Sequence, residues 1–356
     1  MVIENKVKSD LMGTLLSDFV IKTTDCCENR PKKEVSGVII LNLKTYKTVS
    51  ADALPPLVLC MGNFDGVHRG HAALIEATRN LADRLRGEIP QVRAGAWCFA
   101  VPPRRYMGGG RAEQITSLRE KLDLMCALGL DYVCLGDFTV LRHMEPRDFL
   151  REVLQKECHC VATVCGFNHR FGRAGTGMPA DFEAVFGDRA QILPPVNDVR
   201  LGVVISSSRI RSLVSQGNME EAVCLLGHPF LLRAPVMHGK ALGRTIGLPT
   251  ANQNFPAGHL IPAHGIYATR VSIGEKSYIG VTNVGRRPTV EDSGRVNCET
   301  HILDFNESLY DSVITTKFYA KLRDERRFES LEALTAAIRA DADAARAYFK
   351  SEEEKA

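Results

Sequence analysis

The decapeptide at residues 62–71, Gly62-Asn63-Phe64-Asp65-Gly66-Val67-His68-Arg69-Gly70-His71, constrains this chain more than any other stretch. An apolar run with strand character, 57–61, precedes it, and a segment with Leu74, Ile75, Leu81 and Leu85 at helical spacing follows. The peptide therefore sits on a strand–loop–helix turn, where free backbone N–H groups and the helix dipole favour an anion. His68 and His71 are three residues apart, so both can face one bound phosphate. A tight turn with two surface histidines would use the same residue types. The glycines, Asp65 and the placement favour the anion-binding reading.

At 356 residues the chain has room for two domains, each with its own core. A net charge of +3 is too small to argue for a nucleic-acid partner. Basic residues cluster locally instead, at Arg104 and Arg105, Arg286 and Arg287, and within 323–327. Such clusters are solvated faces unless they border a phosphate motif. Eleven cysteines, an odd number without a framework, point to a reducing compartment. Cys158, His159, Cys160 and Cys165 resemble a metal set only superficially. Their context reads as a buried strand, with His159 pointing away from the face that Cys158 and Cys160 share, so no metal is expected there. No stretch is apolar enough to span a membrane, and Lys6, Lys8, Asp10 and Asp18 break any secretory core. A cytoplasmic protein without a membrane partner is expected.

From about 56 to 205, β-rich runs (57–61, 94–99, 132–135, 161–166) alternate with helical stretches (72–85, 118–128, 147–154). This alternation predicts a parallel sheet wrapped by helices, with ligands at the carboxyl ends of its strands. A helical stretch at 208–226 ends at Gly227. Glycine and proline turns then separate short strands at 267–273, 277–284, 298–305 and 313–319, the pattern of a small antiparallel barrel. A last helix begins at Ser330 with Leu331, Leu334 and Ile338 on one face, and the acidic end beyond it is expected to fray. The expected organisation is an extension without visible chemistry at 1–36, an α/β domain at 37–228, and a β domain with a C-terminal helix at 229–350.

Three further segments of the first domain bear on phosphate chemistry. Ile205-Ser206-Ser207-Ser208-Arg209-Ile210-Arg211 puts hydroxyls and guanidiniums at a loop-to-helix junction, where they either cap the helix or hold phosphate oxygens. Gly166-Phe167-Asn168-His169-Arg170-Phe171-Gly172 ends a strand, and Thr116-Ser117-Leu118-Arg119-Glu120-Lys121 reads as a capped helix start. Taken in order, the decapeptide and the segments at 166–172 and 205–211 resemble the adenylyltransferase half of prokaryotic bifunctional riboflavin kinase/FAD synthetases. That half is a Rossmann-like nucleotidylyltransferase with a His-x-Gly-His signature. The resemblance implies that His68 and His71 bind ATP phosphates and stabilise the transition state. Gly62, Phe64, Asp65 and Gly66 would form the cradle, Asn168 the ATP or flavin site, and Ser206, Ser207 and Arg211 phosphate contacts. FMN would attack the α-phosphate of ATP directly, so catalysis would be positioning and charge stabilisation. Where the family usually shows Phe-Asp/Glu-Pro-His-Pro, this chain has Phe99-Ala100-Val101-Pro102-Pro103, and His169 replaces a common Phe.

In the second domain, residues 238–252 contain Gly239, Gly243 and Gly247, which let a backbone approach phosphates, followed by Thr250 and Asn252, hard oxygen ligands two residues apart. There is no Lys-Ser/Thr ending of a Walker loop. Glu299 shares a strand face with His301 and is either a paired structural charge or a base. The stretch from 229 to about 330 resembles the riboflavin kinase module, through Pro249-Thr250-Ala251-Asn252, Asn283-Val284-Gly285-Arg286-Arg287-Pro288-Thr289, the segment around Glu299, and Leu322-Arg323-Asp324-Glu325. It implies that Gly239 and Gly243 line the nucleotide, that Thr250 and Asn252 hold Mg²⁺-ATP, and that Glu299 takes the proton of the ribityl 5′-hydroxyl. Riboflavin, FMN and ATP would be the small-molecule partners. The leading expectation is riboflavin to FMN to FAD. Its rivals are a kinase whose altered 99–103 segment has cost it the FMN site, and a flavin-binding regulator without turnover.

Overall fold

The computed structural model describes residues 21–22, 39–42, 54–106, 113–238, 248–286 and 296–354. Apart from Ile21–Lys22, the 1–36 extension lies outside them, as do Gly239 and Gly243. Two units emerge: residues 1–64, 70–110 and 121–196 form one, and 65–69, 111–120 and 197–356 the other.

The first unit is built on a seven-stranded sheet. Its strands are β1 (Ile21–Lys22), β2 (Ile39–Asn42), β3 (Leu57–Met61), β4 (Arg93–Phe99), β5 (Tyr132–Gly136), β6 (Cys160–Gly166) and β7 (Ala190–Leu193), in the order β1-β2-β5-β4-β3-β6-β7. All pairs are parallel except β1 with β2. Every residue of β3 is buried, as a central parallel strand covered on both faces requires. Helix α1 (Arg69–Leu85) turns Ile75, Thr78, Leu81, Ala82 and Leu85 inward. Leu57, Leu59 and Met61 join Trp97, Phe149 and Phe182 in the core, each apolar side chain contributing about 1.5–3 kcal/mol. After β3 the chain adds β4 and β5 on one side, then returns to lay β6 on the other. The carboxyl end of β3 is therefore the switch point where open α/β sheets bind ligands. The helix expected at 147–154 starts earlier, at Pro146–Asp148, and continues as a wide-wound turn over Phe149–Glu157.

In the second unit, the stretch 208–226 is two helices rather than one. Ser207–Gln216 ends at Gly217 and Met219–Leu226 at Gly227, both glycines being left-handed (φ 85° and 79°), which stops an α-helix at once. Six antiparallel strands follow: β10 (Phe230–Pro235), β11 (Thr250–Asn254), β12 (Gly265–Ile273), β13 (Lys276–Arg286), β14 (Val296–Ile302) and β15 (Val313–Arg323), ordered β10-β15-β12-β13-β14-β11, with the short pair β8 (Asn197–Asp198) and β9 (Val203–Val204) before them. The sheet curls until its ends meet. Buried Gln253 of β11 donates through Nε2 to Ala234 O at 2.9 Å and Ile314 O at 3.1 Å, and Met237 N donates to Asn252 O at 2.7 Å. Strand β14 stops at Ile302, short of the expected 305, and Asp304 beyond it has φ 58°.

The C-terminal helix Leu331–Glu353 is capped by Ser330, whose Oγ accepts the Ala333 N–H at 3.1 Å. Its buried stripe is Ala337, Asp341, Ala345 and Phe349, so the expected face is corrected: Leu331 is half exposed. The reason is charge. Asp341 takes Arg323 bidentately, at 2.8 and 2.7 Å, and this pair fixes the helix rotation while removing Arg323 from the anion-binding candidates. Asp341→Ala leaves a partly buried guanidinium without its carboxylate. It should lower unfolding free energy by about 1–3 kcal/mol, read as a shifted urea midpoint at unchanged slope.

Candidate active sites

The decapeptide falls where its sequence context demands, on the loop between β3 and α1. His68 is the last residue before α1 and His71 lies in its first turn. The loop is strained: Phe64, Gly66 and Val67 have φ of 50°, 82° and 39°. Left-handed backbone is costly for a β-branched valine and persists only where surroundings over-determine it. Phe64 is completely buried, and its ring centroid lies 5.1 Å from that of His71. At Gly66 a Cβ would come within 3.0 Å of Ile115, so glycine is required twice over, by φ and by space.

Asp65 holds the loop. Its buried carboxylate accepts from Ile115 N (2.9 Å), Thr116 N (3.3 Å) and Arg211 Nη2 (2.7 Å). Around it, Ser207 Oγ donates to Asp65 O (2.9 Å), Gly66 N to Thr116 Oγ1 (3.0 Å), and Arg211 Nε to Glu113 O (3.0 Å). Ser206 caps its helix, accepting the Arg209 N–H at 3.4 Å. Asp65, Gly66, Ser207 and Arg211, separated by about 140 residues of sequence, are thus brought to one place. His68 is nearly fully buried. Burial lowers its pKa to about 4, and His228 and Arg211 push the same way, so near neutral pH it is an uncharged N–H donor. Sequence reasoning missed His228, whose Nε2 lies 2.9 Å from Gly66 O. A lone histidine at a helix–strand junction gives no signal of its own.

Residues 116–121 are a capped helix start and more. Ser117 Oγ accepts the Glu120 N–H and Glu120 Oε2 accepts the Ser117 N–H, a reciprocal box. The same buried carboxylate accepts the Arg233 N–H at 2.7 Å and lies 3.2 Å from His259 Nε2. His259 Nδ1 faces Leu260 O at 2.9 Å, so both ring nitrogens meet acceptors. Burial opposes charge on this imidazole, but the hydrogen bond and charge of Glu120 outweigh it and its pKa is raised.

At the switch point of the first unit, Asn168 stands exposed just beyond β6, the strand beside β3. His169 stacks on Phe171 (5.9 Å) and tilts against Phe182 (5.8 Å), doing the packing of an aromatic, and burial lowers its pKa to about 4. The altered segment after β4 carries Phe99, edge-on to Trp97 (4.8 Å) and Phe138 (5.4 Å), and Tyr106 stacks on Phe138.

The second centre lies on the barrel. Asn252 of β11 and Asn283 of β13 are both register partners of Glu299 on β14. Cross-strand partners share a face, so Asn283, Glu299 and Asn252 form one row, with Thr250 one rung along. Thr250 Oγ1 donates to Glu299 Oε1 at 2.6 Å, and Asn297 Nδ2 donates to Asn252 Oδ1 at 2.9 Å. Glu299 has no ion pair among the described residues, which separates it from a paired structural charge. Thr250, Asn252 and Glu299 supply hard oxygens, the donor type Mg²⁺ selects. Asn283 and Asn297 were not singled out as site residues from sequence, because only strand pairing reveals that Asn283 sits beside Glu299 and that Asn297 meets Asn252.

A strained loop at a sheet switch point, together with a barrel that arrays oxygens around a carboxylate without an ion pair among the described residues, fits an enzyme of ATP-dependent phosphoryl and nucleotidyl transfer. Residues 51–209 match the family model described as FAD synthetase, and 226–349 the one described as riboflavin kinase. The chain is 36% identical over 299 residues to the bifunctional riboflavin kinase/FMN adenylyltransferase of Escherichia coli K12, covering 82% of this chain and 92% of that protein. It is 30% identical over 305 residues to the Bacillus subtilis enzyme of the same name (83% and 93%). A solved Streptococcus pneumoniae structure titled a macrolide-efflux protein aligns with TM-score 0.75 and 27% identity, over 87% of this chain and 99% of that one. No helix among the described residues is long and apolar enough to cross a membrane. The chain belongs to the bifunctional riboflavin kinase/FMN adenylyltransferases: it makes FMN from riboflavin and FAD from FMN, with ATP as substrate.

The low pKa of His169 sets a pH dependence. A histidine whose folded pKa is about 4, against 6.5 ordinarily, takes up its proton more readily when unfolded, so stability falls as pH drops from 6.5 towards 4. His169→Phe keeps the aromatic packing and removes that titration. Its urea midpoint should fall less than the parent's across this window, and parallel curves would contradict the assignment.

Proposed function

We propose that the two reactions run at two separate centres with the following residue roles. At the barrel, Glu299 accepts the proton of the riboflavin 5′-hydroxyl as the hydroxyl oxygen attacks the γ-phosphorus of ATP, the bond to the β,γ-bridging oxygen breaks and ADP leaves. A primary alcohol is a poor nucleophile near neutral pH, so a positioned carboxylate raises its reactivity. The observation that carries this is the 2.6 Å hydrogen bond from Thr250 to Glu299, which fixes one carboxylate oxygen and aims the base along the row. Thr250 and Asn252 would hold Mg²⁺, with Asn297 orienting the Asn252 amide through its N–H. When bound, the ion neutralises phosphate charge as it develops. Gly239 and Gly243 are nucleotide-binding candidates from the sequence motif alone.

At the switch-point loop, a phosphate oxygen of FMN attacks the α-phosphorus of ATP and pyrophosphate leaves, with no covalent enzyme intermediate. His68 and His71 contact the phosphates, His68 as a neutral donor. Gly62, Phe64, Asp65 and Gly66 form the cradle, Ser206, Ser207 and Arg211 frame it, and Asn168 contacts the adenosine or flavin. The loop strain serves this role, since it presents backbone N–H groups in a fixed arrangement with nothing left to reorganise during reaction. The catalytic modules correspond to 37–228 and 229–350.

Separate centres make separable losses. Glu299→Ala should lower FMN formation by a factor of about 10² or more while FMN-to-FAD conversion stays near the parental rate. His71→Ala should do the reverse. Flavins resolved by chromatography after incubation with Mg²⁺-ATP and either riboflavin or FMN would read both. Joint loss in folded variants would overturn the two-centre assignment. Parental conversion of FMN to FAD would also mean that Phe99-Ala100-Val101-Pro102-Pro103 is a tolerated variant of the family segment.

A further inference from the structure

The row Asn283–Glu299–Asn252 has a direction. Asn252 stands on one side of the carboxylate with Thr250, on the nucleotide flank of the proposed kinase centre. Asn283 stands on the other side, and past it the register continues to Ile266 of β12, which packs with Val281, Ala320 and Phe349 in an apolar cluster. An alcohol whose terminal oxygen lies at Glu299, in line with ATP, must extend its remaining chain away from the nucleotide, over Asn283. Direct neighbours in such a row have Cβ atoms roughly 4.5–5.5 Å apart, so a side chain beside Glu299 is within reach of a hydroxyl one or two carbons from the reacting one.

Asn283 is prepared for such a partner. Its Oδ1 is buried and accepts no hydrogen bond from the described residues, although buried amide oxygens are nearly always satisfied. Leaving it so is costly unless a ligand donor completes it. An apolar chain would offer nothing, whereas a secondary hydroxyl offers an O–H. We propose that Asn283 determines specificity in the kinase reaction, its Oδ1 accepting a hydrogen bond from a secondary hydroxyl of the ribityl chain. The inference rests on the reading of Glu299 as base and of Thr250 and Asn252 as the nucleotide flank. A site built to pair a hydroxyl rejects the analogue that lacks it, because the protein group is then left bare.

The test compares riboflavin with a flavin whose N10 carries a 5-hydroxypentyl chain, keeping the reacting hydroxyl and lacking the secondary ones. The full-length enzyme should favour riboflavin by about tenfold or more in kcat/KM. Asn283→Ala should lose about tenfold with riboflavin and stay within about twofold of the parent with the analogue, so that discrimination collapses. Asn283→Leu, close in shape and without polar atoms, serves as the second variant. Phosphorylation of the analogue near the parental rate, a reaction of the same barrel, reports that each variant is folded. If the parent enzyme handles both flavins alike, or if folded variants discriminate as the parent does, the role of Asn283 is overturned while the kinase reading stands. If the parent phosphorylates neither flavin, or Glu299→Ala phosphorylates riboflavin normally, the reading beneath it fails instead.

Discussion

The carboxylate of Asp65 is the interaction on which the first centre depends. Three left-handed residues within four positions cost of order 1–3 kcal/mol each where the residue is not glycine. Such a loop stays in place only if something outside its own backbone insists on it. Asp65 does so by taking two N–H groups from residues 115–116 and the guanidinium of Arg211. A charged acceptor makes stronger bonds than a neutral one, and Arg adds direction. Remove the carboxylate and the glycines, the histidines and the helix start are all still present, but the loop loses its one charged tether and keeps only the neutral bonds of Ser207, Thr116 and His228.

The proposed kinase centre uses a different device. There the scaffold is strand register: pairing β14 with β11 on one side and β13 on the other places Asn252, Glu299 and Asn283 in line without any strained backbone. A sheet row cannot be rearranged locally, because a one-residue slip would send every side chain to the opposite face. The barrel interior supports this with a closed ladder of hydroxyls, Thr269 to Thr282 to Thr300 at 2.8 and 2.9 Å, all fully buried and mutually satisfied. The two centres therefore achieve preorganisation by opposite means, one through a tethered irregular loop and the other through regularity.

Much of this was legible in sequence, for reasons that differ by residue. The apolar run 57–61 announced β3 because a strand covered on both faces has no polar alternation to confuse it. Ser330, Gly227 and the 116–121 segment were readable as helix punctuation. Strand β11 was not, since Thr-Ala-Asn-Gln-Asn lacks apolar alternation and its inward Gln253 is a polar residue satisfied only by distant carbonyls. Asp341 on the buried side of the last helix broke the expected face because Arg323 lies on a strand that periodicity cannot place beside it. For the sites, motif residues were legible one by one. What escaped was partnership over distance: His228 on Gly66, Asn297 on Asn252, and Asn283 beside Glu299.

Glu120 carries a consequence for anyone dissecting this chain. It belongs to the stretch matched by the FAD synthetase family, yet two of the three partners it has among the described residues, the Arg233 N–H and the His259 ring, belong to the stretch matched by the riboflavin kinase family. A fragment ending near residue 228 would keep a carboxylate designed for three donors and supply only the Ser117 N–H. The complementary fragment would keep a histidine whose proton has lost its counter-charge. The covalent boundary between the modules and the electrostatic boundary are not the same place, so severing one leaves half of a buried pair on each side of the cut.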